Sequence, residues 1–284
     1  MQSSRRVAVV TDSTSYLPAG VAEALDVRVV GLQVDLDGRS GREGVEVSPA
    51  DVTEVLRAHR AVTTSRPTPG EFVDVFRAAL DAGASAVVSV HLSAQLSGTC
   101  DSARLAAAEF GDGLVVVVDS RATAMALGFA VMASAETAMA GGSAEAVAQA
   151  ATTCIDRSSS LFYVDSLEWL HRGGRIGTAA AMLGTALAVK PLLHLVDGRI
   201  VPMEKVRTSS KAIARLVQIA VNAAADSKVD LAVQHLAAPE RALDVARQLE
   251  DQVPGLRELH ESEVGAVVGA HVGPGLLGVV VRRL

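Results

Sequence analysis

Three short stretches gather hydroxyl and amide donors where apolar runs end: Leu92-Ser93-Ala94-Gln95-Leu96-Ser97-Gly98-Thr99, Thr64-Ser65-Arg66, and Thr11-Asp12-Ser13-Thr14-Ser15. Their chemistry is that of holding an anion. A hydroxyl-rich turn that closes a strand and opens a helix aims backbone N–H groups and the positive end of the helix dipole at whatever lies above it. For residues 93–99 two readings stand: Ser97 caps a helix and Ser93 turns the chain, or both hydroxyls face a ligand. Thr64, Ser65 and Arg66, held extended by Pro67, are either solvated loop or donors facing the same site. Asp12 reads as a turn and cap residue, and Ser13 is open between cap and site.

The elements that position these residues follow from hydrophobic periodicity. Residues 86–91 form a short β-branched run, and a helical, Ala-rich segment begins at Asp101. Residues 7–10 read as a buried strand with Pro18 near the first turn of a helix. Residues 27–36 read as one further strand, stopped by Asp37-Gly38. Ser48-Pro49-Ala50-Asp51 marks a helix start, and Thr68-Pro69-Gly70-Glu71 is a capping box that accounts for Thr68 without function. Residues 114–118 form a strand ending at Asp119-Ser120, before helical sequence that runs to about residue 156 with a break at Gly141-Gly142-Ser143. Short apolar strands alternating with longer helices imply parallel pairing and right-handed crossovers, with ligand loops at the strands' carboxyl ends.

The pattern changes at Arg157-Ser158-Ser159-Ser160. Asp197-Gly198 between two apolar runs signals an antiparallel hairpin. A helix over 209–225, a strand over 229–234, a helix over 239–252 and strands over 256–261 and 277–281 complete a mixed sheet. The expected fold class is therefore α/β with two domains: residues 1–158 with a parallel, Rossmann-like sheet, and residues 159–284 with a mixed sheet.

Composition excludes several classes of function. The chain has 284 residues, 49% hydrophobic but only 3% aromatic, a net charge of −6 and a pI near 5.7. Scattered basic residues and few aromatics oppose nucleic acid as a partner. Cys100 and Cys154 form no CxxC pattern, so no disulfide framework or zinc site is indicated, which suits a reducing cytoplasm. The apolar run before Thr11 is too short for a signal-peptide core. The Ala-rich stretch 122–135 is shorter than a membrane span and runs into Glu136, so a soluble, cytoplasmic protein with no integral membrane segment is expected. Gly273-Pro274-Gly275-Leu276-Leu277-Gly278 fits GxGxxG by letter, but too little chain follows for a dinucleotide site. GxxxxGK[ST], HExxH and GxSxG are absent from the sequence. A hydrolase or transferase using Ser93 or Ser97, with His91 or His271 and a carboxylate, stands as an alternative because triads are defined by geometry. His91 itself reads as a packing or surface residue.

Taken in order, Val10-Thr11-Asp12-Ser13-Thr14, Thr64-Ser65-Arg66-Pro67, the 92–99 turn, Val118-Asp119-Ser120, Gly173-Gly174-Arg175-Ile176, Lys190-Pro191-Leu192-Leu193, Asp197-Gly198-Arg199-Ile200, Lys205-Val206-Arg207-Thr208 and His271-Val272-Gly273-Pro274-Gly275 resemble the DegV family of bacterial fatty-acid-binding proteins. The resemblance implies two α/β domains with one long-chain fatty acid, of the palmitate or oleate class, between them. It further implies that the carboxylate is presented to a separate ATP-dependent kinase, related to dihydroxyacetone kinases, which makes an acyl phosphate for phospholipid synthesis. By motif position Thr64 and Ser93 would hold the carboxylate, with Ser65, Gly98 and His271 close by. Arg175 would sit near the head group or the kinase docking surface. Catalytic residues, metal and cofactor are not implied. Cys100 stands where the family often has Tyr and Arg66 where it often has Gln, and His91 is unusual. A regulatory lipid-binding module outside any kinase pathway is the other alternative.

The chemistry required agrees. A buried carboxylate without partners costs several kcal/mol, and hydroxyl and amide donors remove that cost without a general base. A fatty tail needs only aliphatic lining, at roughly 0.8 kcal/mol gained per buried CH₂.

Overall fold

The structure is a computed structural model that describes residues 6–182 and 190–284. The first five residues, on which part of the leader reading rests, lie outside the described ones. In chain order the elements are β1 (Ala8–Asp12), α1 (Val21–Ala24), β2 (Val27–Val30), β3 (Gln33–Leu36), β4 (Arg39–Arg42), α2 (Pro49–Arg57), β5 (Val62–Ser65), α3 (Pro69–Asp81), β6 (Val87–His91), α4 (Thr99–Ala107), β7 (Val115–Asp119), α5 (Ala124–Met139) and α6 (Ala144–Asp156). They continue as β8 (Ser158–Tyr163), α7 (Glu168–Arg172), β9 (Lys190–Val196), β10 (Arg199–Val206), α8 (Ser209–Ala224), β11 (Val229–His235), α9 (Pro239–Gln252), β12 (Leu256–Glu263), α10 (Ala266–Val272) and β13 (Leu277–Arg283).

The chain forms two compact units, one of residues 1–32 and 65–156, the other of residues 33–64 and 157–284. This differs from a single boundary after residue 158. Residues 27–36 are also two strands rather than one: Val27–Val30 pairs in the parallel sheet of the first unit, while Gln33–Leu36 pairs antiparallel with β4. The alternation of half-buried Gln33 and Asp35 with buried Val34 and Leu36 is that of a strand with one covered face.

The first unit is built on a parallel sheet of order β2-β1-β6-β7. Its central strand β6, Val-Val-Ser-Val-His, is buried at every position, as expected of a parallel strand covered on both faces. Phe72 and Phe76 of α3, Ala103 and Ala106 of α4, and Val10 and Val87 of the sheet form one core cluster. The capping box at Thr68 forms as expected, with the Thr68 hydroxyl accepting from Glu71 N and the Glu71 carboxylate accepting from Thr68 N. The register pairs Thr11 with Val90 and His91 with Asp119, so Asp12, His91 and Asp119 end three adjacent strands.

The second unit holds a mixed six-stranded sheet, β10-β9-β8-β13-β11-β12, in which β11 and β12 are parallel and the other pairs antiparallel. Asp197 and Gly198 both adopt positive φ, the geometry that a two-residue hairpin between β9 and β10 demands. Leu216, Val217 and Ala220 of α8 and Val245 and Leu249 of α9 pack with Tyr163, Leu231 and Val279 of the sheet. A three-stranded sheet, β4-β3-β5, belongs mainly to the same unit. Glu43 ties this region to α10 by accepting a 2.7 Å bond from Val267 N, a buried carboxylate at a helix start. Gly273-Pro274-Gly275 leads directly into β13, as the rejection of a dinucleotide motif requires. Among the described residues no helix is long and apolar enough to cross a membrane.

Candidate functional site

In the first unit the 92–99 turn leaves β6 and enters α4. Ser93 is fully buried, and its oxygen accepts a 3.1 Å bond from Gln95 N. Its amide donates to Ala122 O at 2.8 Å, and its carbonyl accepts from Leu96 N and Ser97 N. Leu92 N donates to Asp12 Oδ2 at 2.9 Å and Ala94 N to Asp119 Oδ1 at 3.2 Å. Ser97 Oγ accepts from Thr99 N and pairs with Thr99 Oγ1, the local capping role. The amides of Leu92 to Ser97 and of Thr99 are therefore bonded within the protein.

Gly98 stands at the N-cap of α4 with no side chain to cap it. A Cβ there would lie 2.0 Å from Arg66 Nη1, so glycine is what lets the Arg66 guanidinium cross the helix start. The guanidinium and the positive helix end both favour a negative charge above them. Ser65, one residue earlier, is exposed at the end of β5.

Asp12 resolves toward structure. Its Oδ1 accepts from Thr14 N at 3.0 Å and Thr14 Oγ1 at 2.6 Å, and its Oδ2 faces His91 Nδ1 at 3.0 Å. Ser13 Oγ accepts from Leu32 N. His91 is not a surface residue: it is fully buried, 2.6 Å from Ser89 Oγ through Nε2 and edge-on to Phe72. Ser89, His91 and Asp12 have the membership of a hydrolytic triad, but Ser89 lies within the fully buried strand β6 rather than on a loop at its end.

In the second unit Thr64, His271 and Arg175 come together. Thr64 Oγ1 lies 2.8 Å from His271 Nε2. His271 Nδ1 is buried against Gly173, where a Cβ would approach it to 2.1 Å, and has no hydrogen-bond partner among the described residues. A buried N–H without an acceptor is rarer and costlier than a bare ring nitrogen, so the proton belongs on Nε2 and is donated to Thr64. Thr64 then keeps its own O–H as a donor. Burial first, then the nearby charge of Arg175, hold the His271 pKa down at about 4, so the ring is neutral at pH 7. Arg175 Nη1 donates to Gly173 O at 2.6 Å, closing the Gly-Gly-Arg-Ile loop on itself.

Glycines make this packing possible. Gly273, at φ 75°, lies against Trp169, whose Cδ1 would be 1.9 Å from a Cβ; Gly275, at φ 89°, lies against the Asp165 carboxylate. Trp169 stacks with His59 and carries Arg172 over its ring. Asp119, Trp169 and Gly173 were not among the expected site residues. The repeated glycines of Gly173-Gly174 and Gly273-Pro274-Gly275 were the visible signal of close approach.

Of the expected residues, then, Thr64, His271 and Arg175 sit together in one unit, while Ser93 and Gly98 share a turn in the other, which also takes in Ser65. Among the described residues no group of three or more His, Cys, Asp or Glu could hold a metal ion.

The sheet orders and the loops at their strand ends define a two-unit α/β protein. Residues 6–284 match the family described as "Uncharacterised protein, DegV family". A DegV domain-containing protein of Streptomyces coelicolor is 55% identical over 278 residues, covering 98% of this chain and 99% of that protein. The structure described as "Fatty Acid Binding of a DegV family Protein from Thermus thermophilus" superposes with a TM-score of 0.93 at 37% identity, over 98% of this chain and 100% of that one. "DegV, a fatty acid binding protein from Bacillus subtilis" superposes with a TM-score of 0.89 at 34% identity, over 99% and 100%. The chain belongs to the DegV family.

Proposed function

We propose that this chain is a cytoplasmic carrier that binds one long-chain fatty acid, holds its carboxylate through the hydroxyls of Thr64 and Ser93, surrounds its tail with aliphatic side chains, and presents the head group to a separate ATP-dependent kinase. The observation that carries the reading is likeness over essentially the whole chain to two fatty-acid-binding DegV structures at 37% and 34% identity. The donor chemistry supports it. Thr64, with His271 donating to it from behind, and Ser93, whose oxygen accepts from Gln95 N, both carry a hydroxyl, the donor type suited to a carboxylate. Arg175 and Arg66 supply positive charge in their respective units. The kinase makes the acyl phosphate and the carrier contributes no catalytic group.

Two measurements test this. Delipidated protein incubated with oleate is expected to take up one molecule, detected by native mass spectrometry. With the kinase subunit and ATP added, oleoyl phosphate should form. Uptake without acyl phosphate would reduce the protein to a lipid-binding module, and hydrolysis of an acyl ester lost in Ser93→Ala would favour an enzyme instead.

A further inference from the structure

The ends of β1 and β7 each send a carboxylate to the Ser93 turn between them. Asp12 takes the amide before Ser93 and Asp119 the amide after it, at 2.9 Å and 3.2 Å. Asp12 also takes two donors from Thr14 and one from His91, so its carboxylate is fully engaged. That bond needs a proton on Nδ1, and Nε2 pairs with the Ser89 hydroxyl. An imidazole pinned at both nitrogens, and braced by the Phe72 ring at 5.0 Å, has one orientation. The other β6 side chains, Val87, Val88 and Val90, are packed by apolar contact alone. Placing Ser89 and His91 in so apolar a strand is costly unless both are bonded, and the bonds that satisfy them run to Asp12 of β1, which also holds the Leu92 amide that follows.

We propose that Asp12 and His91 are positioning residues for the Ser93 hydroxyl: through the Leu92 amide and the His91 backbone they set the direction from which its O–H meets a carboxylate. This rests on the fatty-acid-binding reading above. It assigns to His91 a role in telling an acid from an uncharged head group, while the tail's contribution is unaffected.

The test compares oleate with oleyl alcohol as probes on delipidated full-length protein. His91→Phe keeps the volume against Phe72 and removes the bond to Asp12; Asp12→Asn keeps the size and turns a donor toward Leu92 N. Each is expected to lower the preference for oleate over the alcohol by about tenfold while affinity for the alcohol stays within about twofold. His91→Phe added to Ser93→Ala should lower the preference no further. Should Asp12→Asn not fold, Ser89→Ala, which keeps the Asp12–His91 contact, is expected to lower the preference by about threefold and to speed hydrogen exchange at Leu92 and Ala94. Variants that weaken acid and alcohol in equal proportion, or that leave the preference unchanged, overturn the assignment. Wild-type protein that binds neither probe overturns the parent reading, and this inference with it.

Discussion

Thr64 Oγ1 and His271 Nε2 lie 2.8 Å apart although 207 residues separate them in sequence, and the tautomer of His271 decides which of the two gives its proton to the other. Because His271 Nδ1 faces Gly173 without a partner among the described residues, the ring donates from Nε2 and Thr64 is left with a donor of its own.

The same burial makes stability depend on pH. An ordinary histidine titrates near 6.5, whereas burial and the Arg175 charge hold His271 at about 4. Between those values the unfolded chain takes up a proton that the folded chain refuses. The stability is complete above 6.5 and is lost as pH falls toward 4. From pH 7 to 4.5 the wild-type protein should lose about 2–3 kcal/mol on this account, and His271→Gln should be spared that part of the loss. Urea unfolding of both proteins at the two pH values checks this. Equal losses in both would contradict a neutral, buried His271.

Neighbouring glycines should behave differently. Gly173→Ala places a Cβ 2.1 Å from His271 Nδ1, whereas Gly174 has open space around it and only its positive φ to defend. Gly174→Ala is expected to cost about 1–2 kcal/mol of stability and leave oleate affinity unchanged. Gly173→Ala should cost about 1–3 kcal/mol and weaken oleate binding as well, because it displaces the imidazole behind Thr64. Thermal unfolding beside a binding titration separates the two.

Much of the fold was legible because hydrophobic period, caps and turns agree along most of the chain. The capping boxes at Ser48 and Thr68 and the Asp197-Gly198 hairpin form where the residue types call for them. What the sequence concealed is long-range. Residues 27–36 read as one strand, but the chain changes sheets after Val30, and nothing local distinguishes a strand that continues from one that re-pairs elsewhere. Asp12 was legible as a turn and cap residue, the role its Thr14 bonds show, but its reach to Leu92 and His91 was not, because that depends on β1 and β6 being neighbours. The expectation that Ser93 holds a carboxylate came from resemblance; periodicity shows only a hydroxyl in a turn. Likewise the demand for glycine at Gly173 is set by His271, far along the chain.

Cys100 should be inert. Burial, with Asp119 adding to it, pushes its thiol up to about 12, and both cysteines are buried. Neither thiol should react with a disulfide reagent at pH 8 in the folded protein, and both should react once urea unfolds it. Rapid labelling of Cys100 in the native state would show that the α4 start opens readily.

Ser93→Ala and Thr64→Val each remove one hydroxyl donor to a charged group. Each should weaken oleate binding by about 1–3 kcal/mol and leave oleyl alcohol nearly unaffected. Loss of affinity for both probes in equal measure would place the effect on the tail instead.

Titration of delipidated protein with oleate tests the central claim most directly, with native mass spectrometry reporting the complex. One bound oleate per chain, retained by the wild-type protein and weakened by Ser93→Ala and by Thr64→Val, is the result expected. A chain that takes up no oleate, or holds it equally well without either hydroxyl, would contradict the account.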